Sequence, residues 1–400
     1  MWKVASTLLL TLVLALLAPR STQGQGDPAL QTQTDAAYSF GQVIVFGLRA
    51  QSEEPVEAVT LFFNTPQLEN TYVVDLEIEP QRELELTHEV LLTQVHLAPF
   101  TTITYWWQVE AGGETYQVPQ EQLDYFDDRF QWRQLRGEEA TVYWTGPDAQ
   151  LGQVALDTVA RARPRLEAVI PTGDVDPYQI YVYPSTADLR SALRLTGRDW
   201  VGAHAEPELG VMLVTAVNPR TAAFDLGRSI PHEMVHQLLF EATGAGYDNV
   251  ARWFDEGLAT LFEMAPDPNY PLLVDEAILA GETIPFAELC ETFPGEEAHV
   301  RLAYAQSVSL VRYLQAEYGN QVLSEMIRAF ADGADCHSAV ERVLDLSLEE
   351  LNARWLEREQ PLSPLARFWQ QNSAWLLLLA GGFGMMTLLI LPLRREQRDE

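Results

Sequence analysis

Four hundred residues, 47% of them apolar, are enough for two ordinary domains with real cores. The formal net charge is −31 and Lys3 is the single lysine. That balance speaks against nucleic acid, or an anionic membrane surface, as a partner of the folded part.

The chain opens with Met1-Trp2-Lys3, an apolar run from Val4 to Ala18, and the small and polar residues Ser21 to Gly24. This reads as a secretory signal peptide over residues 1–24. Residues 25–36 are polar and read as a linker. From 37 to 133 apolar residues recur with period two. Strands are expected at 42–48, 58–63, 72–78, 84–92, 102–110 and 115–118. Short strands separated by turns, with no cysteine pair among them, predict an all-β sandwich of the fibronectin III or immunoglobulin type. Trp106 and Trp107 are neighbours on one strand, so one of them belongs to the core.

Residues 138–357 mix the two periods and predict an α+β domain. Strands are expected at 140–145, 179–183 and 210–215. A helix is expected over 151–169, with Leu156, Val159, Ala160, Leu166 and Val169 on one side, and a second opens at Thr186. From about Arg220 the pattern is almost wholly helical, including a long helix over 297–318. Cys290 and Cys336 both fall in this domain. Outside the cytoplasm they are expected to pair as a disulfide.

The chemistry concentrates at His232-Glu233-Met234-Val235-His236. On a helix, positions i and i+4 lie about 40° apart, so two imidazoles project from one face and can grip one Zn²⁺. Pro231 suits the first turn of such a helix, which places its start near Ser229 or Ile230. Glu233, beside the first ligand, can take a proton from a water that zinc acidifies to about pKa 7. A second amphipathic helix over 253–263 brings Glu256 as third ligand, with Asp255 the alternative carboxylate one position earlier.

The pair HEMVH and WFDEGLA resembles the gluzincin metallopeptidases, most closely the peptidase MA-like branch related to aminopeptidase N, over about residues 138–357. The resemblance implies a zincin-like domain with zinc on His232, His236 and Glu256, although 19 residues separate His236 from Glu256 where aminopeptidase N-like enzymes have eighteen. Glu256 is preferred to Asp255 because Gly-x-Ala follows it. In zincins an edge strand runs beside the cleft and pairs with substrate backbone, a role that falls here to Gly210, Val211 and Met212 and the strand they open. Aminopeptidase N-like enzymes carry Gly-x-Met-Glu-Asn at a similar place, and its glutamate holds the substrate's free amine. Here Leu213 and Val214 follow Met212. The missing acid speaks against aminopeptidase specificity and for endopeptidase action or another hydrolysis. Tyr304, in Tyr-Ala-Gln-Ser, resembles the tyrosine that steadies the oxyanion in related enzymes.

Residues 358–372 read as a juxtamembrane linker. A transmembrane helix is expected over 373–393, where the run from Trp375 to Leu393 carries no charge. Arg394, Arg395 and Arg398 lie in the tail 394–400 and put it in the cytoplasm. The expected protein is therefore a single-pass type I zinc metallopeptidase of the cell membrane. Its catalytic domain faces outward and acts on peptides or proteins, and the lipid bilayer is its second partner. The absence of any Asn-x-Ser/Thr sequon favours a bacterial origin. The competing reading is a non-catalytic binding or adhesion protein with a peptidase-like domain. The intact set of His232, Glu233, His236 and Glu256 favours the enzyme.

Overall fold

The computed structural model describes residues 29–361, apart from 67–69, 96, 174, 195–201, 219 and 294–296, and beyond them 368–369, 372–381 and 385. It comprises an N-terminal β-sheet domain and a second, largely helical part. They form two compact units, Met1–Asp127 and Asp128–Glu400.

In the first unit, alternation along one long strand sets the architecture. The elements are β1 (Leu30–Ser39), β2 (Val43–Asn64), β3 (Tyr72–Leu76), β4 (Gln81–Leu91), β5 (Thr101–Ala111), β6 (Glu114–Gln117) and β7 (Glu121–Tyr125). All pairings are antiparallel, and the described strands form one seven-stranded sheet. The first half of β2 pairs with β1 and β4, the second half with β3 and β5. Its inward residues are Ile44, Phe46, Leu48 and Ala50, then Val59, Leu61 and Phe63, all buried. Fully extended, the chain from Phe46 to Phe63 would span roughly 55 Å. Their ring centroids lie 5.4 Å apart. The strand therefore doubles back at its register shift between Gln51 and Val56, and folds the sheet face to face.

This differs in two ways from the expected fibronectin III or immunoglobulin-like sandwich. The layers belong to one continuous sheet, because the polar stretch read as a gap between two strands is a bend in one. The stretch read as a linker over 25–36 holds the start of β1. Most β1 side chains are exposed, so it is held by main-chain pairing and carries no apolar alternation. On β5, Trp107 is the buried tryptophan, while Trp106 stacks on Phe62 at 5.3 Å on the opposite face.

The second unit begins at Asp128, and its first strand, β8 (Arg133–Arg136), precedes residue 138, where the domain was expected to start. With β9 (Ala140–Trp144), β10 (Tyr178–Tyr183), β11 (Ala203–Glu206) and β12 (Val211–Thr215) it forms a sheet ordered β11-β12-β10-β9-β8. The three inner strands are parallel and the two outer ones antiparallel to their neighbours. The parallel strands need crossovers. Helix α1 (Gln150–Glu167) joins β9 to β10, and α2 (Thr186–Ala192) follows β10. Ile180, Val182, Met212 and Val214 share one apolar core with Val159 and Leu166 of α1 and with Ile230, Met234 and Leu238 of α3 (Ala222–Thr243). The helices α4 (Arg252–Phe262), α5 (Tyr270–Ala280), α6 (Glu297–Tyr318), α7 (Asn320–Ala331), α8 (Cys336–Leu344) and α9 (Leu348–Arg358) complete the unit.

Helix α3 starts at Ala222, well before the expected Ser229 or Ile230, so Pro231 sits inside it. Proline has no N–H to give the carbonyl four residues back. The freed Gly227 carbonyl instead accepts the N–H of Met264, 2.8 Å away, just beyond α4. The proline thus joins two helices where it was expected to begin one.

The expected signal peptide, 1–24, lies outside the described residues, as does most of the expected transmembrane segment, 373–393. Residues 372–381 are helical, with Trp375, Leu377, Leu378 and Leu379 exposed. Among the described residues no helix is long and apolar enough to cross a membrane.

Candidate metal centre

One turn of α3 separates His232 from His236, and their rings lie 5.0 Å apart. Helix α4 crosses beneath and presents Glu256. Its Oε2 is 3.2 Å from Nε2 of His232 and 3.8 Å from Nε2 of His236. The three donor atoms lie within 4.8 Å of one another.

The next layer of contacts explains why both Nε2 atoms point at Glu256. His232 Nδ1 donates to Glu263 Oε1 at 3.1 Å, and His236 Nδ1 donates to Asp255 Oδ1 at 2.6 Å. A carboxylate on Nδ1 leaves Nε2 as the ligand atom and orients the ring. Arg252 then spans two neighbouring carboxylates. Nη1 reaches Asp255 Oδ2 at 3.2 Å, and Nη2 contacts Glu256 Oε1. Glu256 therefore has one oxygen held by a guanidinium, while the other is buried and faces both imidazoles.

Charge gives an independent test of the fit. Glu233, Asp255, Glu256 and Glu263 are all buried here. The guanidinium groups that pair with them are those of Arg252 and of Arg228, 3.6 Å from Glu263. Among the described residues these four acids thus face two guanidinium partners. Burial by itself would depress the His232 imidazole, but hydrogen bonds to Glu256 and Glu263 and the charges of Glu256 and Glu233 hold it well above its ordinary range. Burial likewise opposes, and Asp255 outweighs, for His236. Burial would raise the Glu256 carboxyl, yet Arg252 and both imidazoles draw it far below the carboxylate range. A divalent cation would place positive charge among these acids with the imidazoles neutral. Two histidines and a glutamate are a zinc donor set that leaves a position open. The residues fit the ion.

Glu233 follows the first ligand and is buried beside it. Tyr304, on α6, sits against the same carboxylates. Its ring is 6.3 Å from that of His232 and its hydroxyl contacts Glu256. Burial, and then the charge of Glu256, push that phenol well above its ordinary range, so it keeps its proton. Gly257 makes this meeting possible. A Cβ there would lie 2.5 Å from the Ser307 carbonyl oxygen and 2.7 Å from Val311. The bare glycine lets α4 cross α6 closely enough for Glu256 to meet Tyr304, one turn before Ser307.

Glu256 was preferred to Asp255, and it is Glu256 that faces both Nε2 atoms, while the expected edge strand lies elsewhere. Asp255, the alternative ligand, turns to His236 Nδ1 and orients that imidazole from behind. Gly210, Val211 and Met212 do not form an edge. Gly210 lies in a left-handed turn at φ 64°, and β12 is flanked on both sides, by β10 and β11. Among the described strands the edge on this side of the sheet is β11, four residues of small and polar character that periodicity does not single out. Gln237, next to the second ligand, fastens it to α3: its Nε2 donates to the Pro207 carbonyl at 2.7 Å, just past the end of β11. The register opposes Ala203 and Ala205 to Val214 and Met212, which belong to the core shared with α3. The alanines therefore occupy the α3 side of the strand.

The supporting residues left traces in spacing alone. Arg252 stands three and four positions before Asp255 and Glu256, and Glu263 two turns after Glu256. Cys290 and Cys336 are bonded, with Cα atoms 5.8 Å apart.

Residues 158–359 match the family model for the peptidase MA superfamily. YhcO, an uncharacterized protein of Bacillus subtilis (strain 168), is 24% identical over 226 residues, 53% of this chain and 67% of its own. Among solved structures, the M1 zinc metallopeptidase of Deinococcus radiodurans aligns over 85% of this chain and 96% of its own, at 15% identity and a TM-score of 0.39. An aminopeptidase N family protein of Idiomarina loihiensis aligns over 83% of this chain and 77% of its own, at 9% identity and 0.40. Likenesses as loose as these last two carry no argument.

Proposed function

Because the chain belongs to the peptidase MA superfamily, we propose that it is a zinc-dependent endopeptidase, held at a membrane with its catalytic unit outside the cytoplasm. The observation that carries the reading is the buried Glu256 Oε2, which faces two imidazoles whose Nδ1 atoms are both already engaged.

His232, His236 and Glu256 would hold the ion, which when bound supplies a Lewis acid and an acidified water. The chain's own residues do the rest. Glu233 takes a proton from the attacking water and returns it to the leaving amine. The neutral phenol of Tyr304 donates a hydrogen bond to the developing oxyanion. Asp255 and Glu263 keep the imidazoles turned, and Arg252 occupies one oxygen of Glu256 and leaves the other toward the imidazoles. The edge of β11 that has no partner among the described strands is where a substrate strand would add. Alanines on the α3 side of that strand provide no acid for a free amine, which favours cleavage within a chain.

Export and anchoring rest on the apolar run from Val4 to Ala18, the exposed apolar side chains between Trp375 and Leu379, and the arginines after Leu393. The test is a mixed peptide library given to the wild type and to Glu233→Gln, with zinc measured in both. Zinc is expected at about one per chain in each. Cleavage in the variant is expected to fall about 10²–10⁴-fold. A variant that cleaves like the wild type removes Glu233 as base, and a wild type that takes up no zinc removes the peptidase reading.

A further inference from the structure

Helix α4 carries Asp255 and Glu256, yet it opens without a cap of its own. Ala251 stands at its N-cap and offers no side-chain acceptor. The first N–H groups of a helix have no partner inside it and must find acceptors elsewhere. Those of Arg252 and Trp253 find the carbonyls of Cys290 and Leu289, each at 2.9 Å. The cap is therefore supplied by a turn almost 40 positions further along the chain. That turn, 286–290, is tied by Cys290 to Cys336 at the start of α8. The Trp253 indole N–H closes the junction 3.4 Å from Cys336 Sγ, and the ring is fully buried. Disulfide, turn and first turn of α4 form one unit. Glu256 lies a single helical turn beyond it, and Arg252 reaches from it to both Asp255 and Glu256.

We propose that the Cys290–Cys336 disulfide is a positioning element of the metal centre. It clamps the 286–290 turn as the cap of α4 and so holds Arg252, Asp255 and Glu256 in the register that the His232–His236 pair needs. The inference rests on the zinc reading above. With the bridge open, the turn is part of the connection between α5 and α6, and the cap it offers depends on where that connection settles. The centre is then fully assembled only where thiols oxidise, which matches a catalytic unit working outside the cytoplasm.

The experiment uses the full chain. Zinc affinity, measured by competition with a chromophoric chelator, is compared among the wild type, Cys290→Ala/Cys336→Ala, and Val142→Ala, a core substitution in β9 remote in sequence from the junction. The double variant is expected to bind zinc about tenfold or more weakly, as loss of a ligand's support does elsewhere. Val142→Ala should lower the melting temperature and leave the affinity alone. Unchanged zinc affinity in the double variant overturns the proposal, and so does an equal loss in Val142→Ala. Should the double variant not fold, the wild type is treated with a phosphine, which reduces the bridge to two thiols and becomes its oxide. Hydrogen exchange at the Arg252 and Trp253 amides should then quicken, and unchanged exchange overturns the clamp. If the wild type takes up no zinc the metallopeptidase reading fails, while exchange at these two amides still decides the clamp.

Discussion

The two units bury different things. In the β unit the inward face of β2 is apolar from Ile44 to Phe63, with Trp107 and Tyr105 across from it. Asp127, at its very end, is the one buried acid among its described residues. The second unit buries Glu233, Asp255 and Glu256 in two helices and Glu263 at the end of the second. Buried carboxylates destabilise a fold unless each is matched, and removing a match costs more than the pair contributes. The first unit is held by shape, and apolar truncation should hurt it in proportion to volume. The second is held at its centre by charge matching, so changes of a single atom should matter there. The difference locates the chemistry without appeal to any relative.

The largest expected effect is in the β unit. Phe46→Ala removes a fully buried ring packed on Phe63 and Tyr105 and should cost about 3–5 kcal/mol. Denaturant unfolding followed by hydrogen exchange should place the loss within residues 29–127, with zinc affinity unchanged. A fall in zinc affinity would break the separation of the two units. Next is Tyr304→Phe, which takes one oxygen from the metal centre. Turnover should drop about 10²–10³-fold with little change in KM or melting temperature. An unaffected turnover would make Tyr304 a packing residue. The smallest is Asp255→Asn, a near-isosteric change behind His236. Zinc should bind about 10–100-fold more weakly while the fold stays intact. Equal zinc affinity would show that the buried charge is structural after all.

Much of the centre was legible in order along the chain. His232, Glu233 and His236 lie within one helical turn, and helix geometry alone puts the two imidazoles together. Glu256 and Tyr304 were reached through the motifs around them. Gly257 and Ser307, which those motifs contain, prove to be the contact that lets α4 cross α6. Pro231 was misleading for a physical reason: a missing N–H is equally tolerable at a helix start and at a place where another segment can use the freed carbonyl. Strands β1 and β11 were invisible because their side chains are polar or small and their pairing is carried by main-chain bonds. The bend in β2 was read as a gap because polar residues mark a corner and a turn alike.

The sequence by itself determined the two imidazoles, which the helix repeat of α3 puts on one face, and narrowed the third group to the acids at 255 and 256. It also determined the two kinds of unit, through the change of apolar period near residue 130. Only the tertiary structure decided which acid faces the Nε2 atoms and which stands behind an imidazole, because Asp255 and Glu256 are adjacent and differ only in the face of α4 they occupy. The same holds for Glu263 on His232, for Gln237 on the turn after β11, and for the Leu289 and Cys290 carbonyls that cap α4. Each of these contacts joins segments of unrelated spacing, and no local rule of the backbone encodes which distant group an N–H or a carboxylate will meet.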